Sequence, residues 1–193
     1  MNELVRMTVV LTGLATIAGG VLAAVHSGTA DRIAAQQLEY VKGPAIRSIM
    51  AATTNNPLED SFQLSIGEEE KTVFIGSLAS GGTAVAFEEF GRGFGGDIGV
   101  MVGINMETET ILGTVVTVHS ETPGLGAKAK NDRSFTSQFE GLPVSATVAV
   151  TQDGGQIDAI SGATTTSRAV CEAIAQALEQ YQMLHADLQK NVN

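Results

Sequence analysis

Apolar positions along this chain change period three times, and each change marks a different kind of element. Met7 to Val25 is uncharged throughout, MTVVLTGLATIAGGVLAAV, and long enough to cross a hydrocarbon core as a helix. Thr8, Thr12 and Thr16 can return their hydroxyls to the helix backbone, and Gly13, Gly19 and Gly20 are tolerable in lipid. From Asp31 to Met50 apolar residues fall near helical spacing, with Asp31 as a cap candidate and a break or reset at Gly43-Pro44. The middle of the chain turns to short alternating or wholly apolar runs: SFQLSI, KTVFIGSL, TAVAFEEF, DIGVMVGINM and TILGTVVTVH. Gly, Asn, Asp and Glu separate them, as in strands joined by hairpins, with METET the clearest turn. SATVAV reads as one more strand, leading into a glycine turn.

The helical period returns at the C-terminal end. Val170, Ala173, Ile174, Ala177, Leu178 and Tyr181 fall on one face, with Glu172, Gln176 and Glu179 on the wet side. Together these elements predict an α+β fold, an antiparallel sheet covered by helices, with one N-terminal transmembrane helix. The expected division is an anchor over residues 1–26 and an extracytoplasmic domain over 27–193. Arg6 precedes the apolar span, and no basic residue follows until Arg32, which places the N-terminus in the cytoplasm and the domain outside. A cleaved signal peptide ending near VLAAVHSG is the rival reading of the same segment.

Composition narrows the chemistry. Apolar residues are 44% and charged residues 17% of 193, enough for a sizeable core. The formal charge of −10 argues against nucleic acid and anionic lipid as partners. A single cysteine, Cys171, allows no intrachain disulfide, CxxC pair or iron–sulfur cluster, and its helical surroundings make it a small buried or half-buried residue. His26, His119 and His185 have no metal-ligand spacing, so no metal site is expected. Any redox group must then be organic.

The stretch DAISGATTTS, residues 158–167, places Ser161, Thr164, Thr165, Thr166 and Ser167 at the start of the last helix. A helix N-terminus offers free amides and a favourable dipole to an anion. Residue chemistry alone leaves a hydroxyl N-cap, phosphate binding and covalent attachment all open.

DAISGATTTS resembles the flavinylation motif D-x-x-[ST]-G-A-T of the FMN-binding domain family. The resemblance implies FMN joined by a phosphoester to Thr164, with Asp158, Ser161, Gly162 and Ala163 as the frame read by a magnesium-dependent flavin transferase that uses FAD as donor. Thr165, Thr166 and Ser167 are then candidate hydrogen-bonding neighbours. A second stretch, VHSETPGLGAK from Val118 to Lys128, is similar to the H-x-E-T-P-G-L-G loop of two related subunits. These are the G subunit of the Rnf electron-transport complex and the C subunit of the sodium-translocating NADH:quinone oxidoreductase. Taken alone, Thr122-Pro123-Gly124 reads as a turn. In the family, Glu121, Thr122, Leu125 and Gly126 would lie against the flavin ring, and His119 is a candidate donor to its edge. The upstream GFGGDIGVMVGIN and the downstream KNDRSFTSQFEG extend the likeness toward the Rnf-type subunit.

The resemblance implies a flavoprotein electron carrier anchored in the cytoplasmic membrane of a bacterium or archaeon. It would be one relay in a complex that couples ferredoxin/NAD electron transfer to Na+ or H+ translocation. Integral-membrane and iron–sulfur or flavin subunits would be its partners, and it would not be catalytic alone. The alternatives are a free-standing FMN-domain reductase, a C-type quinone-reductase subunit, or a scaffold with no redox role.

Overall fold

The computed structural model describes residues 2–66 and 69–192, and the chain divides into two compact units, Met1–Val41 and Lys42–Asn193. The first unit is carried by α1, Glu3–Gln37. Its segment Glu3–Ala30 is long and apolar enough to cross a membrane, with mean hydropathy 2.0. The apolar side chains Val9, Leu11, Leu14, Ile17 and Leu22 are all exposed, as lipid-facing residues are. Thr8 and Thr16 donate their hydroxyls to the carbonyls of Leu4 and Thr12, at 2.9 and 2.8 Å, and so hide polar groups against the backbone.

Asp31 does not cap a helix, because α1 continues through it to Gln37. The reset comes where Gly43-Pro44 suggests it. A π-helical stretch, Leu38–Lys42, precedes α2, Gly43–Ile49, which carries proline in its first turn. Proline cannot donate into the preceding turn and its ring crowds the carbonyl four residues back, so the wider turn relieves a steric conflict.

In the second unit five strands form an antiparallel meander in sequence order: β1 Ser61–Ile66, β2 Glu69–Ser77, β3 Thr83–Arg92, β4 Asp97–Asn105 and β5 Thr110–Val118. Every pairing is antiparallel, and β4 pairs with β3 along its whole length and with β5 from Gly99 to Asn105. β4 is buried from Ile98 to Ile104. That explains its uninterrupted apolar run, because both faces of the sheet are covered. On one face lie Val85, Phe87, Ile98, Val100, Val102 and Ile104, packed with the long helix α5, Thr164–Val192. On the other, Ala45, Ile46 and Met50 from α2 and the residue after it meet Phe74, Ala84, Ala86 and Met101. All six residues of the expected α5 face are buried, and so is Cys171. Burial pushes the Cys171 thiol up to about 12, with the Asp153 charge adding to it, so it stays protonated.

SATVAV is not a strand. Val144, Val148 and Val150 are buried in the same core, so the alternation is real, but the segment makes no ladder. The residues just before it meet β5 at the bridge Thr110–Pro143, with the Ile111 amide on the Leu142 carbonyl at 2.9 Å and the Gly141 amide on the Ile111 carbonyl at 2.8 Å. Proline has no amide to extend the pairing, and the chain turns immediately as Ala146 donates to the Pro143 carbonyl. Only Val150 pairs further on, in an isolated parallel bridge with Ile157.

α5 packs tightly on the sheet at Gly91, where an added Cβ would press into the Ala169 backbone carbonyl. Gly113, under α2, has only ordinary contacts at 3.8–4.0 Å for the same atom. Gly91→Ala should therefore destabilise the full-length chain by about 1–3 kcal/mol, as overpacking against backbone does. Gly113→Ala should cost less than about 1 kcal/mol. Urea unfolding in detergent, followed by circular dichroism, checks both.

Candidate functional site

The loop after β5 and the start of α5 are some forty residues apart in sequence, and the sheet brings them together. Five antiparallel strands end at Val118, beside the turn that joins β3 to β4. α5 lies back across β3 and β4, so its first turn arrives at that same end of the sheet. An open cavity of about 450 Å3 lies there, lined by Phe94, Glu121, Thr122, Leu125, Gly126, Gly162, Ala163, Thr164, Thr165 and Thr166. Its volume is within the range of small-molecule and cofactor sites. Of the residues expected from the two motifs, Glu121, Thr122, Leu125, Gly126, Gly162, Ala163, Thr164, Thr165 and Thr166 line it; Asp158, His119 and Ser161 do not, and Ser161 is exposed in the turn ahead of the helix.

The helix start is built by backbone and serine, not by a threonine cap. The Ala163 carbonyl accepts the first helical bond, from the Ser167 amide at 3.0 Å, so Ala163 is the cap residue and Thr164 opens the helix. The amides of Thr164, Thr165 and Thr166 precede that bond and have no intrahelical acceptor. Ser167 is fully buried, donating its hydroxyl to the Ala163 carbonyl at 3.1 Å and accepting the Ile160 amide at 2.9 Å. Gly162 occupies the left-handed region at φ 77°, a turn that a side chain would strain. Gln138 fixes the preceding backbone: it accepts the Asp158 amide at 2.7 Å and donates to the Asp158 carbonyl at 3.2 Å. The Asp158 side chain itself is exposed.

The four hydroxyls at the helix start are in different states. Thr166 is buried and donates to Glu121 Oε2 at 2.6 Å. Ser167 is engaged as described, and Thr165 is exposed. Thr164 is half-buried on the cavity wall, with no hydrogen bond from its hydroxyl among the described residues.

Glu121 is buried, and both its oxygens are used: Oε1 accepts the Gly95 amide at 2.9 Å and Oε2 the Thr166 hydroxyl. His119 Nδ1 accepts the Glu121 amide at 3.3 Å, so this ring braces its own loop. Gly126 leaves the space for this arrangement. A Cβ there would come within 2.5 Å of Glu121 Oε2 and 2.7 Å of Thr166 Oγ1. Burial works to raise the Glu121 pKa. The Thr166 hydroxyl, the Gly95 and Phe94 amides and the nearby His119 outweigh it and hold the carboxyl below its ordinary value.

Phe94 was not among the expected residues, yet it stands at the rim with 78% of its surface exposed, near Leu125 at 46%. Its signal in the sequence is a lone aromatic in the glycine run GRGFGGD, where no core is close enough to bury it. A larger cleft of about 590 Å3, between β2 and β3, contains none of the expected residues. Its charges pair with one another, Lys42 with Glu88 at 2.8 Å and Lys71 with Glu89. Among the described residues no group of three His, Cys, Asp or Glu side chains is placed to hold a metal.

Because the Glu121 pKa is lowered on folding, its contribution to stability is present above its ordinary value of 4.5 and is lost as pH falls through the depressed one. Glu121→Gln should lower the urea midpoint of the full-length chain near pH 7. The gap from wild type should close as the pH is brought through the folded-state pKa. Midpoints measured across that acid range check the sign.

Comparison with known proteins agrees with this geometry. The model of the FMN-binding domain matches residues 93–179, which contain the whole cavity lining. The G subunit of the ion-translocating oxidoreductase complex of Methanosarcina acetivorans is 32% identical over 180 residues, covering 92% of this chain and 94% of that protein. The G subunit of the same complex from Escherichia coli K12 is 35% identical over 179 residues, covering 88% and 86%. Among solved structures, Shewanella oneidensis NqrC superposes with a TM-score of 0.50 at 25% identity, covering 72% of this chain and 73% of that one. The C subunit of the Na+-translocating NADH-quinone reductase of Parabacteroides distasonis gives 0.51 at 28%, covering 60% and 62%. With its cavity inside the matched domain and its length shared almost end to end with these relatives, the chain belongs to the G-subunit family of ion-translocating oxidoreductase complexes.

Proposed function

We propose that this chain is the membrane-anchored flavoprotein electron carrier of an Rnf-type complex, with FMN held as a phosphoester on Thr164. The observation that supports this most is the meeting of the S-G-A-T helix start and the E-T-P-G-L-G loop around one cavity. The residues fit the group. Three amides without helical acceptors and the dipole of α5 favour a phosphate beside Thr164. Thr122, Leu125, Gly126 and the exposed Phe94 offer a mixed apolar and polar wall to a flat ring.

Thr164 also has the hydroxyl best suited to attachment, since Thr166 and Ser167 have committed theirs within the protein. Attachment at Thr164 replaces its hydroxyl proton with the FMN phosphoryl group of FAD. The pyrophosphate bond of FAD breaks, AMP leaves and the proton is released. A flavin transferase supplies the catalysis. The phosphodiester keeps a negative charge that the helix start stabilises, and the covalent bond prevents loss of cofactor from a cavity open to water. When bound, FMN supplies reversible electron chemistry that no side chain of this protein offers.

The relay role follows from what the chain lacks. One cysteine cannot hold a cluster, and no glycine fingerprint after a strand offers a dinucleotide site. Ferredoxin oxidation, NAD+ reduction and Na+ or H+ translocation therefore belong to partner subunits. The relatives at 32 and 35% identity named above are G subunits, which supports the G-type over the C-type reading.

Residues 1–26 serve as a retained anchor, with residues 27–193 on the outer side of the cytoplasmic membrane. Protease added to intact spheroplasts should digest the domain. Protection of the domain, or a mature N-terminus near His26, would contradict this placement.

Thr164→Val removes the nucleophilic oxygen at nearly constant volume. It should abolish covalent flavin and change stability by less than about 1 kcal/mol, since Thr164 is not the cap residue. Complex carrying it should lose ferredoxin:NAD+ electron transfer while reactions confined to other subunits continue. Thr165→Val should keep the covalent flavin. A Thr164→Val complex that assembles without FMN on this protein and runs the full reaction at the wild-type rate would leave a scaffold role instead.

A further inference from the structure

Three separate stretches of chain form the walls of the cavity, and all three end on one carboxylate. The loop after β5 supplies Glu121 itself. The turn between β3 and β4 reaches it through the Gly95 amide at 2.9 Å, and the first turn of α5 through the Thr166 hydroxyl at 2.6 Å. Gly126 keeps the place clear, because any Cβ there would strike both Glu121 and Thr166. Glu121 and Thr166 are both buried. Ionised, Glu121 has no proton to donate, and each of its oxygens is already held inside the protein.

We propose that Glu121 is a positioning residue: by tying Thr166 to the Gly95 turn it fixes the rotation of the first turn of α5 and so aims Thr164 into the cavity. This rests on Thr164 being the acceptor, as set out under Proposed function. Thr166 is two residues beyond Thr164 in the same helical turn, so its tether limits how that turn can roll or fray. The same contact holds Thr166 buried, whereas Thr164 is only half-buried on the cavity wall. Glu121 in this role touches neither FAD nor the phosphorus under attack. It acts through the helix.

The experiment uses full-length chain made in a host without flavin transferase and purified in detergent. Purified transferase, FAD and Mg2+ are added, and the flavin-bearing fraction is followed by intact mass. A bond to a charged group is removed in Thr166→Val and weakened in Glu121→Gln, so both should be flavinylated at least about tenfold more slowly. Thr166→Ser, which restores the hydroxyl, should return close to the wild-type rate. Amide hydrogen exchange of residues 93–96 before transferase is added should be faster in Thr166→Val and Glu121→Gln than in wild type and Thr166→Ser. Thermal melts establish which variants are folded, and the Thr166 pair decides the matter if Glu121→Gln is not.

Folded Thr166→Val flavinylated at the wild-type rate, or Thr166→Ser as slow as Thr166→Val, overturns the proposal. So does unchanged exchange over residues 93–96. If wild type gains no flavin at Thr164 under these conditions, the acceptor assignment fails instead, and exchange still reads the tether on its own.

Discussion

The seating of α5 on the sheet is the constraint from which the site follows. Thr164 is the first residue of that helix, so its position is set by how the helix lies on β3 and β4. Six side chains from Val170 to Tyr181 bury one face, and at Gly91 the backbones approach so closely that no side chain fits. Burial at about 25 cal/mol per Å2 of apolar surface makes this seam the main holding force. Hydrogen bonds then refine the helix start: Ser167 closes the turn from Ile160 to Ala163, and Glu121 holds Thr166. Apolar packing sets the place and polar contacts set the angle.

A buried, ionised carboxylate is costly unless its oxygens are satisfied. Glu121 meets that condition with one backbone and one side-chain donor, each from a different part of the chain. The cavity is therefore assembled only when the fold is complete. Neither the E-T-P-G-L-G loop nor the S-G-A-T turn has its final form alone. A transferase acting on such a site would meet folded protein.

Much of this was legible in the sequence. The five strand runs, the α5 face and the apolar span each carry a period set by burial, and periodicity survives without knowledge of partners. The cavity residues were legible through resemblance of two short motifs, not through spacing. Spacing offered no reason to join Glu121 to Thr166, 45 residues on. What escaped depends on contacts distant in sequence. SATVAV has the alternation of a strand, but Pro143 and the turn after it remove the partner edge. Asp31 has the chemistry of a cap, but the helix before it never ends. Phe94 became visible only when its glycine turn was placed at the rim of the cavity. The bond from Thr166 to Glu121 is likewise visible only in the fold.

Membership in the G-subunit family, the cavity at the helix start and the inventory of redox-capable groups together make a bound flavin the only electron-carrying group this chain would contribute. Its place of attachment is the most exposed point of that claim. Mass spectrometry of the protein isolated from its own host tests it directly, first intact and then as peptides. The intact mass should exceed that of the polypeptide by FMN less one water, and the added mass should map to Thr164. An unmodified mass in protein isolated from active membranes, or FMN on any residue other than Thr164, would contradict it.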